Sequence, residues 1–256
     1  MELSFELPHN HLKTLGEYND YNFTLAHLTA NEEYTSHYRE SNKYTICDNS
    51  NFELKSPLPA PAIVRAADLF KAQEIIAPDS FKDGNGTIKA TEEFIKYLED
   101  SGKLGKFRVQ GVVQGANVPD WTLCLDYMTN NKHIDVVGFS YQGCSVFAPD
   151  LANARIAAVA LATHESSGDL KKTIHLLGVG GNPKELAIQN NVETIRSCDT
   201  SIPIVQGLYN SRLSDSFGLV TDKLPRPEDY FDLTMTDAQL KNVIHNISVM
   251  KNWVKK

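Results

Sequence analysis

The sequence predicts an α/β fold, a compact (β/α)₈ TIM-like barrel, and three observations carry that expectation. Short apolar, β-branched stretches alternate with longer segments of helical periodicity along the chain. The stretches are apolar over most of their length rather than at every second residue, as parallel strands covered on both faces are. Eight of them fit within 256 residues, with no repeat, low-complexity tract or long linker between them. An open, doubly wound sheet is the alternative arrangement of the same elements.

In chain order the candidate strands are Leu3–Leu7, Tyr21–Leu28, Tyr44–Cys47, Glu74–Ala77, Phe107–Gln114, Ile134–Phe139, Thr173–Val179 and Glu193–Cys198. The first is short and is followed by a long irregular segment. Helix signals fall between several of them. Thr91–Glu99 carries Phe94, Ile95 and Leu98 on one face, Ala154–Thr163 is Ala-rich, and Pro183 stands where the first turn of a helix begins. Pro225 and Pro227 break the chain ahead of a last helix, Asp237–Val254. Its Leu240, Val243, Ile244, Ile247 and Met250 recur at helical spacing, a stripe read as core packing. The expected organisation is one barrel domain over 1–256, with 204–256 as a C-terminal extension whose helix packs on the barrel.

A hydrophobic share of 41% with 22% charged residues is that of an ordinary globular chain, and at this length it buries a sizeable core without staples. Cys47, Cys124, Cys144 and Cys198 form no CxxC pair and no Cys/His cluster, so neither a disulfide framework nor a structural zinc site is expected. The N-terminus has no basic leader or apolar core segment, and no apolar run reaches membrane-spanning length. A cytoplasmic protein without a membrane partner is expected. The net charge of −7 gives no global attraction for nucleic acid, although a local basic face still binds phosphates.

Barrel enzymes carry their chemistry at the C-terminal ends of the strands. Here those ends read Asp48-Asn49-Ser50-Asn51-Phe52-Glu53, Pro78-Asp79-Ser80, Gln114-Gly115, Gly138-Phe139, Gly178-Val179-Gly180-Gly181 and Cys198-Asp199-Thr200-Ser201-Ile202-Pro203. Taken singly, an aspartate after a strand is also a turn former or helix cap. The glycines after Leu177 do not match a dinucleotide fingerprint and also suit a turn or a general phosphate loop.

Taken in order, these segments resemble the tRNA-guanine transglycosylase superfamily. Gly111-Val112-Val113-Gln114-Gly115 is similar to the family's G-I-V-Q-G strand, and Asp135-Val136-Val137-Gly138-Phe139 to the strand after it. Leu176-Leu177-Gly178-Val179-Gly180-Gly181-Asn182-Pro183 resembles L-M-G-V-G-x-P, and Cys198-Asp199-Thr200-Ser201-Ile202-Pro203 resembles F-D-C-V-L-P. Upstream, Ile46–Glu53 resembles L-T-D-S-G-G-F-Q and Ile76-Ala77-Pro78-Asp79 resembles M-A-F-D. The likeness covers about Tyr44–Pro203. The chain departs from the pattern in three places. The glycines of D-S-G-G are Ser50 and Asn51, no cysteine follows Cys198 to build the family's zinc module, and Ile204-Val205-Gln206 stand where arginines trail the last motif. In these respects the chain is similar to the short, zinc-less phage DNA 7-deazaguanine transglycosylases of the DpdA type.

The resemblance implies a barrel enzyme that exchanges guanine in DNA for a free 7-deazaguanine base, such as 7-cyano-7-deazaguanine, without a cofactor or metal. It implies Asp199 as nucleophile and Asp48 as general acid/base. Asp79 and Gln114 would read the base beside Gly138, Phe139 and Gly178, between Phe52 and Leu177. Arg212 and Arg226 are the candidates for phosphate contacts, with Lys223, Lys241, Lys251, Lys255 and Lys256 as further cations of the same segment. A solvated basic face is the alternative for that set. Alternative functions are a tRNA-guanine transglycosylase with a shortened C-terminus, a non-catalytic barrel subunit binding nucleic acid or a partner, and an unrelated barrel enzyme with a phosphate cradle after Leu177.

Overall fold

The computed structural model describes residues 1–165, 172–179, 182–183, 185–214 and 224–255; Gly180, Gly181, Lys223 and Lys256 lie outside the described residues. Eight strands form one parallel sheet: β1 (Glu2–Phe5), β2 (Asn22–Leu25), β3 (Thr45–Asp48), β4 (Glu74–Ile76), β5 (Arg108–Val113), β6 (Val136–Ser140), β7 (Thr173–Leu177) and β8 (Ile195–Thr200). Each pairs with its successor from β2 to β8, and β8 returns to pair with β1. The result is a (β/α)₈ TIM-like barrel rather than an open sheet.

The remaining seam, between β1 and β2, has no strand ladder and is held by side chains together with one backbone bond. Asn19 accepts the Phe5 N–H at 2.8 Å and donates to the Phe5 carbonyl at 3.1 Å, as a neighbouring strand does. Asp20 donates its N–H to Leu3 O at 2.9 Å and accepts the Leu3 N–H through Oδ2 at 2.9 Å.

Helices α1 (Leu12–Leu15) and α2 (Glu32–Glu40) lie in the first two connections, and α3 (Asn51–Leu54) and α4 (Ala60–Phe70) follow β3. Helices α5 (Gly84–Asp100), α6 (Val118–Asn130), α7 (Leu151–Glu165) and α8 (Glu185–Gln189) follow β4 to β7 in turn. Helices α9 (Ile202–Leu208) and α10 (Asp237–Trp253) follow β8. Several of the sequence expectations shift: the strand expected over Tyr21–Leu28 stops at Leu25, where a 3₁₀ turn over Ala26–Ala30 takes over, and β7 stops at Leu177. Helix α5 begins at Gly84, ahead of the apolar stripe, because Asp83 caps it by accepting the Gly86 N–H at 2.8 Å. Strand β8 runs on through Asp199 to Thr200, so the aspartate sits on the strand rather than beyond it.

The core has two layers. The larger lies between the strands and the helices, with Phe94, Trp121, Phe139, Leu176 and Cys198 among its buried residues. The smaller fills the barrel, where Tyr21, Phe23, Leu25, Ile46, Ile76 and Val112 pack against Leu177. Strand alternation therefore decides which side chains enter the barrel. One irregularity adds a charge there. Ile174 pairs with Ile195 but His175 pairs with Ser197, leaving Arg196 as the extra residue of a bulge. Its guanidinium meets the buried Glu74 carboxylate through two bonds of 2.8 and 2.9 Å, and Tyr44 donates to the same carboxylate at 2.8 Å. This ion pair forms the barrel floor.

Among the described residues no helix is long and apolar enough to cross a membrane, and no group of three or more His, Cys, Asp or Glu side chains is arranged to hold a metal ion.

Candidate active site

A cavity of about 680 Å³ opens at the C-terminal ends of the strands. Asp48 from β3, Asp79 after β4, Gln114 after β5, Leu177 and Gly178 at the end of β7, Asp199 from β8 and Phe52 from α3 all line it. With Arg226, which also lines it, eight of the candidate site residues from the sequence therefore share one space.

Asp199 is held by two donors on one oxygen. Its Oδ1 accepts the Gly178 N–H and the His175 Nε2–H, each at 3.1 Å. His175 is buried completely, stacks on Phe23 at 5.7 Å between centroids, and is 2.8 Å from the Ser197 hydroxyl through Nδ1. Burial, with Arg196 nearby, pushes its pKa down to about 3. The contact with Asp199 is thus a hydrogen bond to an uncharged imidazole and not an ion pair. With Asp199 ionised, Nε2 carries the proton and Nδ1 accepts from Ser197. Among the described residues, the hydrogen bonds from His175 and Gly178 both fall on Oδ1. Burial raises the Asp199 pKa to about 7 despite the Gly178 amide. Gly178 itself requires φ of +64°, with Tyr141 packed about 3.0 Å from where a Cβ would stand, so a side chain at this position meets both strain and a ring.

Asp48 closes β3. Its Oδ2 accepts the Ser50 N–H at 2.7 Å, while burial and the neighbouring Glu53 raise its pKa well above the ordinary carboxylate range. Ser50 adopts φ of +63° at a position where the resembled motif has glycine. Its hydroxyl offsets the strain by accepting the His27 N–H at 3.1 Å and lying 2.9 Å from His27 Nδ1. The asparagines that flank it tie this loop to the next strand. Asn49 donates to Ala77 O and to Asp79 Oδ1, at 2.8 and 3.0 Å, and Asn51 donates to Asp79 O at 3.1 Å.

Asp79 is clamped between amides, because Gln114 donates to its Oδ2 at 2.7 Å. Burial raises its pKa, and these amides oppose the rise. Gln114 thus presents to the cavity an amide already engaged with Asp79, and its Oε1 lies 3.4 Å from the Lys82 N–H. Gly115 lets this strand end approach α6: a Cβ there would stand 2.4 Å from the Trp121 nitrogen.

Four expectations differ from what the structure shows. Phe139 does not reach the cavity. In β6, Val136 and Gly138 face the barrel interior, so alternation sends Phe139 outward, where its ring meets Trp121 at 5.3 Å. Gly138 is not in the lining either; it lies under Leu177 and beside the Gln110 side chain. Arg212 is exposed, donates to Asn242 of α10 at 2.7 Å and does not line the cavity. Arg226 does line it, but its guanidinium joins Glu6 at 2.6 Å and Glu53 at 2.7 Å. It is also packed among Phe52, Tyr230 and Phe231, 5.2–5.8 Å from their centroids. Lys251 pairs with Asp20 at 2.8 Å, beside the N-terminal ends of β1 and β2 and so at the far end of the barrel.

Sequence reading missed Glu6, His175 and Tyr141. Glu6 follows β1 on the same alternation as Ser4, and burial raises its pKa to about 7 against the pull of Arg226. His175 stands two residues before Leu177, so the alternation that places Leu177 inside places the histidine inside too. Tyr141 lies 6.4 Å from Phe52 between centroids. No ordered motif signals it, since it follows β6 in an irregular turn. Beneath this loop Arg155, fully buried, forms a two-bond pair with Glu185 at 2.6 and 3.0 Å. It also donates to the Phe139 and Leu177 carbonyls, bracing the strand ends that carry Gly178.

No protein-family model and no curated protein matches this chain.

Proposed function

We propose that the chain is a base-exchanging pentosyltransferase that replaces guanine in DNA by a 7-deazaguanine through a covalent aspartyl–sugar intermediate. The observation that carries the reading is the convergence of Asp48, Asp79, Gln114 and Asp199 on one cavity, with Phe52 and Leu177 in the same lining. Its volume is that of a small-molecule site and suits an extruded nucleotide.

Base exchange with retention at the anomeric carbon takes two displacements. In the first, Asp199 Oδ2 attacks that carbon, the C–N bond breaks and its electron pair leaves with guanine. Asp48, whose protonated form burial favours, supplies the proton that neutralises the departing base. In the second, the nitrogen of the incoming 7-deazaguanine gives its proton to Asp48 and attacks the same carbon, releasing the Asp199 carboxylate. Asp79 accepts from the N1–H and amino edge of the base, and the amide that Gln114 gives it keeps the carboxylate in one orientation. His175 and the Gly178 amide position the nucleophile without neutralising it. No cofactor enters either step.

Labelled guanine and 7-deazaguanines, offered with duplex DNA, single-stranded DNA and tRNA in parallel, test the assignment. Label is expected in DNA. Label entering tRNA alone moves the substrate to the transfer-RNA alternative, and no incorporation into any polymer contradicts base exchange.

A further inference from the structure

Two loops at the cavity mouth hold phenyl rings in the open. Phe81, after β4, is 53% exposed, and Phe52, at the start of α3, is 46% exposed; both line the cavity. Each ring carries a lysine. Lys82 Nζ lies 5.4 Å from the Phe81 centroid and Lys55 Nζ 4.8 Å from that of Phe52. Both lysines occupy the left-handed region, at φ of +55° and +62°, a conformation unfavourable for any residue with a Cβ.

The Phe81 loop is braced. Ser80 donates its N–H to Thr87 Oγ1 at 3.0 Å, and that hydroxyl donates to Ser80 O at 3.1 Å. Asp83 caps α5, and the Lys82 N–H points to Gln114 Oε1, the residue that clamps Asp79. A well-braced loop that holds an aromatic ring outside the core, with strain at the next residue, suits a ring that meets a ligand.

Charge selects the ligand. The cavity is lined by Glu6, Asp48, Glu53, Asp79 and Asp199, and its arginine is neutralised by Glu6 and Glu53. Lys55 instead donates to a backbone carbonyl, Phe52 O, at 3.1 Å. An anionic polymer therefore approaches along the edge where Lys55 and Lys82 stand. An aromatic face flanked by ammonium groups is the pairing that holds single-stranded nucleic acid, through stacking and phosphate contact together.

We propose that Phe81 is a stacking platform for a base adjoining the extruded guanine, with Lys55 and Lys82 holding phosphates on either side. The substrate is then a single-stranded or locally opened stretch. This inference rests on the base-exchange reading for the identity of the extruded base.

The test is fluorescence anisotropy of a guanine-containing single-stranded oligonucleotide over a range of salt, beside label incorporation by the same preparations. Stacking contributes about 1–3 kcal/mol per base, so Phe81→Ala is expected to weaken binding about 5- to 150-fold, and Phe81→Trp to restore it. Lys82→Ala is expected to reduce the slope of log affinity against log salt by about 0.7, one single-strand phosphate contact, with free-base binding unchanged. If Phe81→Ala and Lys82→Ala keep wild-type affinity and slope while wild type still exchanges base, the rim inference falls and base exchange stands. If wild type binds the strand through Phe81 but incorporates no label, the rim stands and base exchange falls. Wild type that binds no oligonucleotide overturns both.

Discussion

Asp199 and Asp48 are distinguished by their partners more than by their burial. Among the described residues a backbone amide and a neutral imidazole both donate to one oxygen of Asp199, which turns the carboxylate's other oxygen to the proposed attack. Asp48 has a single backbone donor and stands beside Glu53, surroundings that favour its protonated form. The pH dependence of kcat/KM follows from these shifts. In the proposed exchange Asp199 attacks only as the anion, and its folded pKa is raised to about 7, so the rate is expected to fall about tenfold per unit as pH drops below that value. On the same proposal Asp48 carries the proton with which guanine leaves, so the rate is expected to fall again at the alkaline side, where Asp48 ionises. A bell is expected for wild type. Asp48→Asn should lose about 10²–10⁴-fold at the optimum and abolish the alkaline limb while the acid limb remains. An alkaline limb that survives Asp48→Asn would assign the acid role elsewhere.

At the scale of elements, the barrel's last seam relies on the side chains of Asn19 and Asp20 beside one backbone bond. Asn19 satisfies a buried N–H and a buried carbonyl of Phe5 where β2 supplies no ladder. Asn19→Ala orphans both groups and is expected to cost about 1–3 kcal/mol for each in urea or thermal unfolding. Wild-type stability in that variant would show that the seam does not depend on it. The eight strands were legible in the sequence because apolar runs separated by helical periods are a local pattern. So were Asp48, Asp79, Gln114 and Asp199, because the ends of parallel strands in a barrel share one face. The seam was not legible, since a side chain imitating a strand has no period. Nor was the start of α5, where glycines precede the apolar stripe and the cap decides. The outward turn of Phe139 was within reach. A strand that directs Gly138 inward directs its neighbour to the helices. The bulge that brings Arg196 inside the barrel leaves no comparable trace, because one extra residue changes the face without changing the composition.

For the molecule as a whole, the formal charge of −7 is gathered in part at the site, and the C-terminal extension answers it with one residue. Arg226 crosses 220 positions of sequence to reach Glu6 and then joins Glu53, tying the extension to the barrel mouth. Such a pairing is invisible to any window of sequence. Of the other described cations of that segment, Arg212 meets α10 and Lys251 stands at the opposite end of the barrel. The fold thus delivers an acidic chamber that Asp199 lines, the setting the proposed covalent displacement calls for. Denaturing electrophoresis after mixing the protein with a guanine-containing oligonucleotide tests that displacement most directly. Wild type is expected to give a protein–nucleic acid band resistant to denaturation, Asp199→Asn to give none and to release no guanine, and Asp48→Asn to retain the capacity to form it. A covalent band that persists in Asp199→Asn, or guanine release by that variant at the wild-type rate, would contradict the account.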